Sequence, residues 1–221
     1  SVPARFFKGI RRLRSFQDEC GPLRGAVFID GFNLYHRIHD LRRNHYKWLN
    51  LWRLSEFLCA RHGVALRKTI FCTAVPDSPD DVRMRHLTYN NALQAVGVEI
   101  LKGHHIIEAD TGRRIEKQTD INLALSVIRG AHLNEYDCAY IVSGDSDQAA
   151  TARFFREWFP HKRLVGVAPP DLKVPERLKP HADDHFVLSW NDVERAIFNG
   201  DVTGRSGKPI PRPAAYTPPA R

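Results

Sequence analysis

The chain has 221 residues, 43% of them apolar, enough for one full-sized core with tails, and a formal net charge of +8. No apolar run approaches the ~20 residues of a membrane span. The four cysteines, Cys20, Cys59, Cys72 and Cys138, lack the paired spacing of a zinc site or a disulfide framework, and they suit buried reduced thiols in a cytoplasmic protein.

The charge is unevenly placed. Arg5, Lys8, Arg11, Arg12 and Arg14 stand without an acid in residues 1–14, and Arg205, Lys208, Arg212 and Arg221 face only Asp201 in residues 201–221. Residues 15–200 carry equal numbers of bases and acids, so the excess lies wholly in the two ends. Basic arms on a neutral core suit either a polyanionic partner or solubility.

In chain order, residues 1–24 read as a basic N-terminal arm, in which Phe6, Ile10 and Leu13 fit helical spacing. Such a helix could contact RNA, lie on a membrane surface, serve as a transit peptide or pack on the domain. Ala26-Val27-Phe28-Ile29-Asp30-Gly31 then reads as a strand covered on both faces that delivers an aspartate at its exit. A helix carrying Asn33, His36 and His39 follows. Residues 49–62 form an amphipathic helix closed by Gly63, 66–75 a second strand, and 82–96 a second amphipathic helix. Residues 98–107 read as a third strand, with 113–117 returning as a short hairpin arm after the Asp110-Thr111-Gly112 turn signal. In the next helix, Ile121, Ala124, Leu125 and Ile128 predict the inward stripe, and Asp120 stands in the first turn. Ala139-Tyr140-Ile141-Val142 repeats the plan of the first strand and ends in Ser143-Gly144-Asp145-Ser146-Asp147. A helix over 146–158, a strand over 162–168, a short helix over 175–179, an edge strand over 185–188 and a last helix over 191–198 complete the domain, residues 25–199. Residues 200–221, rich in proline and arginine, predict a disordered tail. Alternating strands and helices imply an α/β domain of three layers with a mainly parallel sheet.

The chemistry is concentrated at strand exits, where open α/β sheets bind ligands. Two neighbouring parallel strands ending in Asp30 and in Asp145 and Asp147 would bring three carboxylates together. Such a cluster is unstable unless protonated or holding a cation. Asn33 suits a helix cap, the orientation of a neighbouring carboxylate or contact with substrate, and Ser143 at the second exit is a further candidate for substrate contact.

Three segments carry a resemblance: Phe28-Ile29-Asp30-Gly31-Phe32-Asn33-Leu34-Tyr35, Glu116-Lys117-Gln118-Thr119-Asp120-Ile121-Asn122-Leu123-Ala124, and Val142-Ser143-Gly144-Asp145-Ser146-Asp147. In this order they resemble the signature motifs of NYN domains, members of the PIN-like ribonuclease superfamily, over residues 25–190. The resemblance implies a sheet in the order 3-2-1-4-5 and a metal site for magnesium or manganese built from Asp30, Asp120, Asp145 and Asp147, which are also the catalytic acids. It implies that Asn33 and Ser143 support that shell and that Lys117 faces a phosphate. Arg113, Arg114, Arg153 and Arg156 flank the expected edge and are candidates to hold the substrate. The implied activity is hydrolysis of RNA, single-stranded by preference, by a metal-dependent endoribonuclease; a homodimer is compatible with it. A catalytically silent RNA-binding module of the same fold remains open, because Gln148-Ala149-Ala150 departs from the residues that usually follow the last aspartate. A haloacid-dehalogenase phosphatase would need an acid at position 32, which is Phe32, and a dinucleotide-binding domain would need a glycine-rich turn after the first strand.

Overall fold

The computed structural model describes residues 21–107 and 114–219, the side chains of 104–107 and 114–117 excepted. The basic arm over residues 1–20 lies outside the described residues. A central sheet is formed by β1 (Arg24–Asp30), β2 (Ala65–Thr73), β3 (Glu99–Lys102), β6 (Cys138–Val142), β7 (Arg163–Ala168) and β8 (Asp184–Val187). Its order is β3-β2-β1-β6-β7-β8, and every pair is parallel. Counting only these strands, the order is 3-2-1-4-5-6: the expected arrangement with β8 added at the edge.

Parallel strands covered on both faces need apolar side chains at every position. In β1, Val27 and Ile29 enter one core and Ala26 and Phe28 the other. The first core packs α1 (Gly31–Asp40), α2 (Leu51–Ala60), α3 (Asp80–Ala95) and α6 (Trp190–Arg195) on one face. The second packs α4 (Thr119–His132) and α5 (Gln148–Trp158) on the other. The result is the three-layer PIN-like fold. In α2 the stripe is Leu51, Leu54 and Leu58, and the Asn50 side chain accepts the first-turn N–H of Arg53.

Four segments differ from the sequence reading. The expected third strand divides at Gly103, whose N–H donates to the carbonyl of Thr73 at 2.9 Å. Beyond it β4 (His104–Ile107) leaves the sheet and pairs antiparallel with β5 (Arg114–Lys117), so the hairpin arm takes half of that strand. In α4 the residues facing the sheet are Leu123, Val127 and Ala131, while Ile121 and Leu125 are 60% and 62% exposed. The helix carries two apolar stripes, and packing selected the one the spacing argument passed over. The stretch over 175–179 is a turn leading into a 3-10 turn at Lys179–His181, rather than a helix.

The fourth difference is at the C-terminus, where a disordered tail was expected. Instead, β9 (Val202–Thr203) and β10 (Pro209–Ile210) form a small antiparallel hairpin, followed by a 3-10 turn at Ala214–Tyr216. The reason is long-range packing. Tyr216 and Val202 are buried in the first core, and Trp48 donates its indole N–H to the carbonyl of Gly200 at 2.7 Å. Cys59, Cys72 and Cys138 are buried thiols, and among the described residues no helix is long and apolar enough to cross a membrane.

Candidate metal and phosphate site

The carboxyl ends of β1 and β6 lie side by side, with Ile29 opposite Val142. Asp30 leaves β1 and is only 1% exposed. It is the N-cap of α1: its Oδ1 accepts the backbone N–H of Asn33 at 3.1 Å. Its Oδ2 accepts the Asn33 side-chain amide at 2.5 Å and the Ser143 hydroxyl at 2.8 Å. Of the roles open to it Asn33 takes one: its amide orients the carboxylate, while the helix cap is Asp30 itself.

Ser143 fixes the second strand exit to the first. Its N–H donates to the carbonyl of Val167, and its hydroxyl oxygen accepts the backbone N–H of Asp145 at 3.0 Å while its proton goes to Asp30. Asp145 in turn accepts the backbone N–H of Asp147 through Oδ1 at 2.9 Å. Gly144 lies between them, where a Cβ would come 2.6 Å from Leu172 Cδ1 and 3.2 Å from Asn33 Oδ1, so a larger residue would displace Leu172 and crowd the Asn33 amide. Asp147 occupies the N-cap position of α5, yet its side chain makes no capping bond. That carboxylate is left to face the edge. Asp120 lies in the first turn of α4, two residues after Gln118, the N-cap residue, whose φ is 76°.

Two of the acids, Asp30 and Asp120, are perturbed by their surroundings. Burial pushes the carboxyl of Asp30 up; the bonds from Asn33 and Ser143 pull it back, and the charge of Asp145 adds to the rise. Partial burial and the charges of Asp30, Asp145 and Asp147 push the carboxyl of Asp120 up to about 6. Asp120 is exposed as a residue, so solvent trims the effect of burial, and the three neighbouring charges are what mark a shared site. Among the described residues no three acidic, histidine or cysteine side chains are close enough in this conformation to enclose one ion. The donor chemistry nonetheless suits a hard cation: carboxylates at one strand edge, supported by an amide and a hydroxyl, are the oxygen ligands that magnesium or manganese take.

Beside Asp147 a cleft of about 630 Å³ is lined by Ser146, Arg153, Arg177 and His181. Arg153 thus reaches the edge as the sequence suggested. Arg156 does not: it donates to the carbonyl of His181 and forms an ion pair with Asp183. Arg177 was missed in the sequence; the basic spacing of Lys173, Arg177 and Lys179 after Pro169-Pro170 was the available signal. Arg113 lies outside the described residues. Arg114 and Lys117 bound β5, directly before α4, with their side chains outside the described residues.

The NYN domain family profile matches residues 24–189. A crystal structure of a protein of unknown function from Vibrio parahaemolyticus superposes with a TM-score of 0.55 at 18% identity, covering 79% of this chain and 97% of that chain. That likeness concerns the fold. A curated relative from Pseudomonas putida, named 6-hydroxy-3-succinoylpyridine 3-monooxygenase, is 25% identical, with 61% of this chain matched. The chain spans 56% of that relative's length. Three motifs in order, the sheet they edge and a match over most of the sequence agree: the chain belongs to the NYN domain family.

Proposed function

We propose that the protein is a metal-dependent endoribonuclease acting on single-stranded RNA at the edge formed by Asp30, Asp120, Asp145 and Asp147. What supports this reading is the family match over residues 24–189 together with the adjacent strand exits that carry Asp30 and Asp145, tied to each other through Ser143. A phosphodiester repels nucleophiles with its own oxygens, so catalysis needs positive charge at the phosphate and a positioned water. The four aspartates would hold magnesium or manganese, which when bound supplies both charge neutralisation and water activation.

The remaining work falls to this chain's residues. Asn33 and Ser143 hold the Asp30 carboxylate in one orientation through three hydrogen bonds. The Ser143 oxygen and the Asp147 N–H fix the turn that carries Asp145. Arg153 and Arg177 line the cleft beside Asp147, where they would hold phosphates of the strand as it leaves the edge. Attack by water on phosphorus breaks the bond to the 3′ oxygen, leaving a 3′-hydroxyl and a 5′-phosphate.

The test is cleavage of a short, end-labelled single-stranded RNA with magnesium, with manganese and with EDTA, for the wild-type protein and for Asp145→Asn. Cleavage with either metal, abolished by EDTA and reduced by orders of magnitude in the variant, is expected. RNA that is bound but left whole in all conditions would make the protein a binding module. Cutting at the wild-type rate by Asp145→Asn would remove the acids from the reaction.

A further inference from the structure

A cavity of about 270 Å³ opens on the same sheet edge, on the β2 side of Asp30, between α1 and α3. It begins at Gly31, the residue after Asp30, and its walls are aromatic: Tyr35 from α1, Tyr89 from α3 and Tyr216 from the C-terminal turn, with Phe32 at the rim, half exposed. The first turn of α1 is pressed onto the floor so closely that a Cβ on Gly31 would lie 2.5 Å from the carbonyl oxygen of Cys72.

One polar group in this lining is not accounted for by the fold. Asn90 is 5% exposed, and its side-chain amide nitrogen has no hydrogen-bond partner. A buried, unpaired amide is unfavourable. Asn90 lines the open cavity, and its nitrogen, which has almost no accessible surface, gains an acceptor when a ligand shifts the wall. Asparagine also offers an acceptor beside that donor, the pairing that reads a heterocycle edge. Lys47 completes the lining with a cation, its Nζ 5.2 Å from the centre of the Tyr35 ring. Aromatic walls, a buried side-chain amide and a cation nearby suit a heteroaromatic ring attached to an anion.

We propose that this cavity is a nucleobase subsite, taking one unstacked base of the strand whose phosphate lies at the aspartate edge. The proposal rests on the ribonuclease reading and adds a base preference to it. Stacking on aromatic side chains holds any base by its face, and Asn90 selects among bases by their edge. The subsite also gives the C-terminal segment a role, because Tyr216 closes one wall.

The experiment separates the subsite from the chemistry by working in EDTA, where no cleavage occurs. Binding of AMP, GMP, CMP and UMP is measured by calorimetry for the wild type and for Asn90→Leu, a change of similar volume that removes the orphan amide. Nicotinamide, a ring without ribose or phosphate, is the control for a free small molecule. At least one nucleotide is expected to bind the wild type, and Asn90→Leu is expected to weaken it fivefold or more while melting no earlier. If Asn90→Leu does not fold, Phe32→Ala, a change at the exposed rim, is expected to weaken the same nucleotide at least threefold. No nucleotide binding, equal binding by the folded variant, or nicotinamide binding as tightly as the best nucleotide would overturn the proposal. Nucleotide binding lost in Asn90→Leu, with RNA left uncut under magnesium and manganese, would support the subsite and sink the nuclease. Cleavage at every base alike, with no nucleotide bound, would do the reverse.

Discussion

Replacing Asp120 with asparagine is expected to stabilise the metal-free protein above neutral pH. The Asp120 carboxyl is pushed from the ordinary 3.8 up to about 6 by partial burial and by Asp30, Asp145 and Asp147. A carboxyl that holds its proton more tightly when folded favours folding at low pH. That advantage is complete below ~4, the unfolded value, and is lost as the pH rises through the folded value near 6. The whole interval corresponds to just under ~3 kcal/mol. Asp120 is open to solvent, which reduces this to ~1–1.5 kcal/mol. The start of α4 favours the charge by ~0.3–1 kcal/mol, which offsets part of that. Asp120→Asn in EDTA at pH 7.5 should therefore melt up to roughly 5 °C above wild type, at ~2–4 °C per kcal/mol for a domain of this size. The two melting curves should converge by pH 4. Saturating magnesium should reverse the order, since an ion held by the folded state alone adds ~2.7 kcal/mol at a hundredfold excess over its Kd, and the variant has lost one ligand. A variant that melts earlier than wild type in EDTA at pH 7.5, by a margin that shrinks toward pH 4, would show that Asp120 is an ordinary helix-terminus acid.

Two further perturbations test other parts of the argument. Gly31→Ala places a Cβ 2.5 Å from the Cys72 carbonyl and 2.8 Å from the Phe71 ring; it should cost ~1–3 kcal/mol in urea unfolding, and a midpoint unchanged from wild type would mean that α1 yields freely. Truncation after residue 199 removes the Gly200 carbonyl bonded by Trp48 and the buried Val202 and Tyr216, so a loss on the order of 3 kcal/mol is expected. Its melting temperature should fall by roughly 6–12 °C; an unshifted melt would return residues 200–221 to the status of a loose basic tail.

The central strands were legible because a strand buried on both faces must be apolar throughout, and Ala26 to Ile29 and Ala139 to Val142 are. The acids were legible for a related reason: a charged residue at the end of such a run is where the fold stops burying the chain. The side chains around Asp30 follow from short separations, Asn33 being three residues on and Ser143 ending the neighbouring strand. What escaped the sequence depends on distant partners. Leu123, Val127 and Ala131 compete with Ile121 and Leu125 for the same sheet, and spacing alone ranks them equally. The C-terminal segment looks unfoldable by composition, yet Trp48 and the first core provide the surface on which it folds. Arg156 looked available on its helix until Asp183 claimed it from another element.

The buried thiols sort themselves by layer: Cys59 and Cys138 belong to the core beneath α1, α2, α3 and α6, and Cys72 to the core beneath α4 and α5. Burial pushes Cys59 up to about 12 and Cys138 up to about 11, so neither offers a thiolate at neutral pH. An alkylating reagent must wait for its side of the sheet to open. The two layers thus carry separate clocks: timed alkylation, resolved by peptide mass, would tell whether the helices flanking the sheet detach together or one face at a time.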